Sequence, residues 1–186
     1  MTLLCVPSAP PGGCHYSPDF VDETVTAYDA DRSFLLQRVQ PAMIGLIDGS
    51  LSTLAPIFAV ALATHRPHYA FTAGLATAIG AGVSMAFSEG LSDTGEVTGR
   101  GSPLMRGTIT GVGTFIGGIF HTLPFLIPHY RAALIAAVAT IAIELVALAV
   151  LRWKFFETSF LRSFASVALG GAIIAGISAA LGAAAG

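Results

Sequence analysis

Five apolar segments, each about twenty residues long, constrain this chain more than any other feature of its sequence. They cover residues 43–64, 69–91, 107–127, 132–151 and 163–186. A helix needs about 20 apolar residues to cross about 30 Å of hydrocarbon. The segments are continuous and rich in alanine and leucine, which favours helices over barrel strands. We therefore predict an all-α membrane protein with five transmembrane helices.

The composition supports a surface that faces lipid. Of the 186 residues, 54% are hydrophobic and only 11% are charged, whereas a soluble domain carries about 25% charged residues. The formal net charge is −2, and no basic patch indicates a nucleic-acid partner. Membrane lipid is the expected surrounding.

Basic residues predict the orientation of the chain. Seven of the nine Lys and Arg residues fall on one side of the predicted membrane: Arg32, Arg38, Arg100, Arg106, Arg152, Lys154 and Arg162. Only Arg66 and Arg131 fall on the other side. Since basic loops stay inside, we expect a cytoplasmic N-terminus and a C-terminus outside.

Residues 1–40 differ from the rest of the chain. They are polar and acidic, and lack the basic start of a signal peptide. Cys5 and Cys14 are the only cysteines, too few for a zinc site or a disulfide framework. Residues 34–41 resemble an amphipathic lead-in at the interface. We predict a polar cytoplasmic segment over 1–40 and a transmembrane domain over 41–186.

Carboxylates inside the apolar segments need an explanation, because a charge at the bilayer centre costs about 2.5–3.5 kcal/mol. One explanation is purely structural, with each carboxyl protonated or hydrogen-bonded between helices. The other is a cation site. Counting 1.5 Å per residue from the cytoplasmic ends places Asp48, Met85 and Glu144 at roughly 8, 9 and 10 Å. Glu89 lies one turn from Met85 on the same helical face.

Carboxylate oxygens together with a thioether sulfur favour Fe²⁺ and other transition metals over Mg²⁺ or Ca²⁺. We therefore predict the metal ligands Asp48, Met85, Glu89 and Glu144. Packing is the alternative role for Met85. A metal and a proton compete for the same carboxylate, and this competition is the physical basis of antiport.

Three further residues are possible accessory groups. Ser52 lies where Pro56 frees a carbonyl in the first segment, although Pro56 could also form a simple packing kink. Asp93 lies at the predicted cytoplasmic mouth. His121 lies roughly 21 Å from the cytoplasm, near the outer side, where an ordinary interfacial histidine is the alternative.

Glycine pairs in the third segment have the G-x-x-x-G spacing that permits close helix contacts. The pairs are Gly107 with Gly111 and Gly113 with Gly117. Their spacing leaves open whether the partner helix belongs to the same subunit.

The first two segments resemble those of the vacuolar iron transporter family. The residues that carry the resemblance are "LIDGSLSTLAPIFAVALAT" and "GLATAIGAGVSMAFSEGLSD", with an Asp-Gly in the first and a Ser-Met followed by Glu in the second. "FLLQRVQPAMIGLIDGS", "SDTGEVTGRGSPLMRG" and "HTLPFLIPHY" resemble the transporter half of membrane-bound ferritins, the erythrin–vacuolar iron transporter group. The resemblance covers 41–186.

The resemblance implies a homodimer in a bacterial inner membrane, with five helices per subunit and a pathway between the subunits. It implies export of Fe²⁺, and often Mn²⁺, from the cytoplasm in exchange for protons. Asp48 and Met85 match the central metal-contacting pair, and Glu89 matches the carboxylate one turn on. A two-fold axis would bring both copies of each ligand together. No permanently bound cofactor is expected, since the metal is the cargo.

Two departures from the family limit what the resemblance implies. Only 92–106 join the second and third segments, too short for an acidic metal-binding domain. Residues 1–40 lack a Glu-x-x-His motif, so ferroxidase and storage activity are not expected, and a separate iron-delivery protein could replace that part. A passive metal channel and a non-transporting anchor or scaffold are the alternatives. An enzyme is not expected, because no nucleophile–base pair, phosphate loop or cofactor motif is present.

Overall fold

A computed structural model describes residues 30–156 and 159–185, and this part of the chain is helical, without a β-strand. The long helices are α1 (Gln40–Thr64), α2 (Pro67–Gly90), α3 (Pro103–Phe120), α4 (Tyr130–Phe156) and α5 (Phe160–Ala185). The all-α prediction is confirmed for the described residues. The predictions for residues 1–29, including both cysteines, lie outside them.

Four helical segments are long and apolar enough to cross a membrane. They are Ala30–Thr64, Pro67–Gly90, Tyr130–Phe155 and Leu161–Ala184. They coincide with the first, second, fourth and fifth predicted segments, and they support the transmembrane character of the chain. The helix α3 is not among them.

The third predicted segment differs from the structure at its C-terminal end. Instead of continuing to residue 127, α3 ends at Phe120, and a short 3₁₀ turn covers Leu123–Leu126. Pro124 and Pro128 explain the early end, because each lacks an N–H and disfavours helical backbone in the residue before it. Within the turn, Phe125 is buried among Ile57 and alanines of α1, α2 and α4.

The helix α3 packs in the middle of the bundle through bare backbone. A methyl group added at Gly113 or Gly117 would meet carbonyl oxygens of α1, and one added at Gly107 or Gly111 would meet carbonyl oxygens of α2. The two predicted glycine pairs therefore form contact faces, and their partners are helices of the same chain. Such small residues let backbones approach closely and replace side-chain packing.

The start of α1 is continuous with the predicted lead-in. The backbone is helical from Ala30 and forms a π-helical turn over Leu35–Val39, in which the Gln40 N–H donates to the Leu35 carbonyl. The wider turn occurs just before Pro41, which has no N–H of its own to donate. Arg38 lies in this turn.

Candidate functional site

Polar side chains gather in two places in the described part of the bundle. The arginine cluster consists of Glu89, Asp93, Arg100 and Arg106, and lies where α2 ends and α3 begins. The histidine cluster consists of Ser50, His121 and Glu144, and lies where α1, α3 and α4 meet.

Two arginines neutralise two carboxylates in the arginine cluster. Glu89 Oε1 lies 2.7 Å from Arg100 Nη2 and 3.1 Å from Arg106 Nε. Asp93 Oδ1 and Oδ2 each lie 3.2 Å from a guanidinium nitrogen of Arg106 and Arg100, respectively. The Arg106 side chain is fully buried and also donates to the carbonyl of Gly101. The predicted carboxylate mouth is therefore a balanced set of ion pairs.

Glycines in the connecting loop bring the arginines back over the end of α2. Gly95, Gly99 and Gly101 have φ values of 81°, 67° and 69°, which side chains of L-residues rarely tolerate. A Cβ at Gly95 would also collide with the carbonyl of Gly101. The tight loop explains how Arg100 reaches both carboxylates. Sequence reasoning missed these pairs because it used both arginines only as markers of orientation.

The pKa of Asp93 is held below 3.8. Burial alone would raise it, but hydrogen bonds from Thr98, from the Gly95 backbone and from Arg106 outweigh burial. A carboxyl whose pKa is depressed in the folded state contributes stability above its unfolded pKa and loses it as the pH falls through the folded pKa.

We expect Asp93→Asn to remove part of the acid sensitivity of the fold. As the pH falls from about 5 to below about 3.8, the wild-type protein should lose more thermal stability than the variant. The measurement is the unfolding midpoint in detergent at each pH. Glu96→Gln is the matched control, because Glu96 is an exposed carboxylate in the same loop. Equal acid sensitivity of wild type and Asp93→Asn would contradict the prediction.

The histidine cluster is closely spaced, with Ser50 and His121 buried and Glu144 partly exposed. The Ser50 hydroxyl lies 2.5 Å from Glu144 Oε1 and 2.6 Å from the Leu46 carbonyl oxygen. His121 Nε2 lies 2.9 Å from the Ser50 carbonyl oxygen. His121 Nδ1 lies 2.6 Å from Glu144 Oε2. This last contact has the distance of an ion pair without the alignment of a hydrogen bond, and neither atom has another partner among the described residues.

The contact between His121 and Glu144 contradicts the predicted depths, which placed these residues roughly 11 Å apart along the membrane normal. Counting along separate helices assumed that their ends are level. In the structure α4 extends to Phe156 rather than to residue 151, and α3 begins at Pro103 rather than at residue 107, so the predicted ends do not mark the levels of these residues. The structure thus joins a predicted ligand to a predicted accessory residue. Ser50, which sequence reasoning did not select, completes the cluster.

Asp48, Met85 and Ser52 belong to neither cluster. Asp48 and Met85 are each half-buried. Asp48 forms no hydrogen bond or ion pair with another described residue. The Ser52 hydroxyl lies 3.5 Å from the Gly49 carbonyl, a weak contact. Successive residues of a helix are about 100° apart, so the Asp48 side chain points away from Ser50 and the histidine cluster.

A complete metal centre is not formed by the described residues of one chain, because no three His, Cys, Asp or Glu side chains come together there. Comparisons with protein-family models, curated proteins and solved structures find no match to the chain.

Proposed function

We propose that the protein exports a divalent metal cation, Fe²⁺ or Mn²⁺, from the cytoplasm in exchange for protons. In this proposal the chain crosses a bacterial inner membrane five times, with α3 as the third span, and acts as a homodimer. Its N-terminus is cytoplasmic and its C-terminus is outside. The proposal draws on the family resemblance and on one structural observation.

The observation that carries the proposal is the state of the three carboxylates on the membrane helices. Glu89 is paired with arginines, and Glu144 contacts Ser50 and His121. Asp48 alone has no hydrogen-bonding or ionic partner within the described residues. An ionisable group in a membrane helix is costly unless it meets a partner, an ion or water, so Asp48 is the carboxylate available to a cation.

The proposed ligands are therefore Asp48 and Met85, contributed by both subunits at a two-fold axis. The face of α1 that carries Asp48 is about 100° from Gly49, which packs against α3. A second copy of the chain could cover that face and bring two Asp48 carboxylates together. Glu89 and Asp93 could receive a cation only if it displaced the arginines. Glu144 is not included among the ligands, because both of its oxygens have close protein neighbours.

Everted membrane vesicles provide the test of transport. Fe²⁺ is supplied outside under anaerobic conditions, with a pH gradient acid inside the vesicles. We expect rapid uptake by the wild type and uptake at the level of protein-free vesicles for Asp48→Ala, because the carboxylate ligand is lost. Collapsing the pH gradient should abolish uptake against a metal gradient. Glu96→Gln is the control for loss of a carboxylate, since Glu96 is exposed in a loop.

Three outcomes separate the alternatives. Undiminished uptake by Asp48→Ala would overturn the proposed ligand. Flux that depends on Asp48 but ignores the proton gradient would indicate a passive channel. No flux above protein-free vesicles in the wild type would indicate a scaffold. The contacts that Glu89 and Glu144 make within the chain support the scaffold alternative, because hydrogen-bonded carboxylates can connect helices without binding a metal.

A further inference from the structure

We propose that Gln37, in the helical turn before α1, acts as a latch on the loop that carries Arg100. While the latch is closed, Arg100 stays on Glu89 and Asp93; when it opens, Arg100 can leave them. The consequence for cation entry rests on the proposed function, whereas the latch itself rests only on the contacts of the chain.

Gln37 contacts the loop on both sides of Arg100. Its Nε2 donates to the Gly99 carbonyl oxygen at 3.3 Å, across 62 residues of sequence. Its side chain also packs on the bare Cα of Gly101, where an added Cβ would lie 2.7 Å from Gln37 Cδ. One side chain thus restrains both neighbours of the arginine. Since 3.3 Å is long for an N–H···O bond, the restraint is weak enough to open.

Arg100 is the more easily released of the two arginines. Its side chain is 21% exposed, and its Nε has no hydrogen-bond partner among the described residues. Arg106 lies on α3 instead of the loop, is fully buried, and has a hydrogen-bond partner at each side-chain nitrogen. Loosening the loop should therefore free Arg100 and leave Arg106 in place.

The turn that carries Gln37 is suited to movement. It is the π-helical turn Leu35–Val39, and none of its residues is buried. Straightening a π turn to α-helical geometry rotates the residues before it by up to about 100° around the axis. Gln37, in the middle of the turn, would rotate by part of that angle and leave Gly101. Little buried surface opposes the change, as is typical of segments that open locally.

Opening the latch changes the charge balance of the arginine cluster. With Arg100 in place, two arginines balance Glu89 and Asp93. With Arg100 withdrawn, the two carboxylates share Arg106 and the cluster has one excess negative charge. In the proposed function, opening would thus remove one of the two arginines that an entering cation has to displace.

Chemical modification of arginines tests the latch without metal. The full-length protein in lipid nanodiscs is treated with phenylglyoxal to a low extent, and mass spectrometry gives the rate at each arginine. Gln37→Ala should raise the rate at Arg100 about fivefold, as expected for the loss of one hydrogen bond. The rates at buried Arg106 and exposed Arg131 should stay unchanged. Arg38→Ala is the matched control, because Arg38 is exposed in the same turn.

Two glycine variants test the same contact from the loop side. Gly99 and Gly101 both have positive φ, so alanine strains the backbone at either position. Only a Cβ at Gly101 would meet Gln37, whereas one at Gly99 would have no neighbour within 4 Å. Gly101→Ala should therefore accelerate modification of Arg100 more than Gly99→Ala does. In the Gln37→Ala background this difference should disappear.

Three results would overturn the latch. The first is an unchanged rate at Arg100 in Gln37→Ala. The second is an equal rise at Arg106, which would indicate general opening of the bundle. The third is equal effects of the two glycine variants. Because the measurement uses neither metal nor a gradient, failure of metal transport would leave these rates unaffected, and the two proposals fail separately.

Discussion

Replacing Arg106 with methionine is expected to lower the free energy of unfolding by about 3–5 kcal/mol. The Arg106 side chain is fully buried and contacts Glu89, Asp93 and the Gly101 carbonyl. Without it, two carboxylates share Arg100 alone, and burying a charge without its partner is costly. Denaturation by SDS in mixed micelles measures the change. Arg131→Met is the control, because Arg131 is exposed at the start of α4, and it should change stability by less than about 0.5 kcal/mol.

A second substitution distinguishes lost charge balance from lost packing. If charge balance dominates, Glu89→Gln in the Arg106→Met background should recover part of the stability. The two substitutions should then be non-additive, as expected for residues of one ion-pair network. A loss below about 1 kcal/mol in Arg106→Met would show that the cluster is dispensable for folding.

Replacing Gly49 with alanine should cost about 3 kcal/mol, the upper end for overpacking in a close-packed core. The added Cβ would collide with the Thr114 carbonyl oxygen and lie 2.7 Å from the carbonyl carbon. Neither atom belongs to a flexible side chain, so α1 and α3 would have to separate. The unfolding free energy in mixed micelles again gives the measurement.

Gly80→Ala is the matched control for Gly49→Ala. Both glycines lie within long helices, but a Cβ at Gly80 would have no neighbour within 4 Å. Alanine there should stabilise the helix by about 0.5–1 kcal/mol. Equal effects of the two substitutions would contradict the close contact between α1 and α3.

The sequence predicted helices well because a chain in lipid must satisfy its backbone internally. An unbroken apolar segment of about twenty residues therefore has few alternatives to a helix, and four predicted segments coincide with suitable helices. The prediction was less accurate where prolines intervened. The hydropathy pattern includes Leu123 and Pro124 in the third apolar segment. In the structure α3 ends before them, because proline has no N–H to continue the helix.

The candidate site was less predictable than the fold. Depth counting could not place Glu144 next to His121, because the level of each helix depends on packing against its neighbours. The role of Ser50 depends on a contact across 94 residues of sequence. The pairing of Arg106 with Glu89 depends on loop glycines whose positive φ values have no hydropathy signature. Such features are properties of the assembled bundle.

The contact of α3 with α1 and α2 through bare backbone has a mechanical consequence. Interlocked backbones can slide only together, so these three helices should move as one rigid unit. Relative movement is easier at the seam between this unit and α4, because α4 has far fewer direct contacts with α1 than α3 has. Ser50 and His121 belong to the rigid unit, whereas Glu144 belongs to α4. Sliding of α4 along that seam would therefore first change the distances between these three side chains.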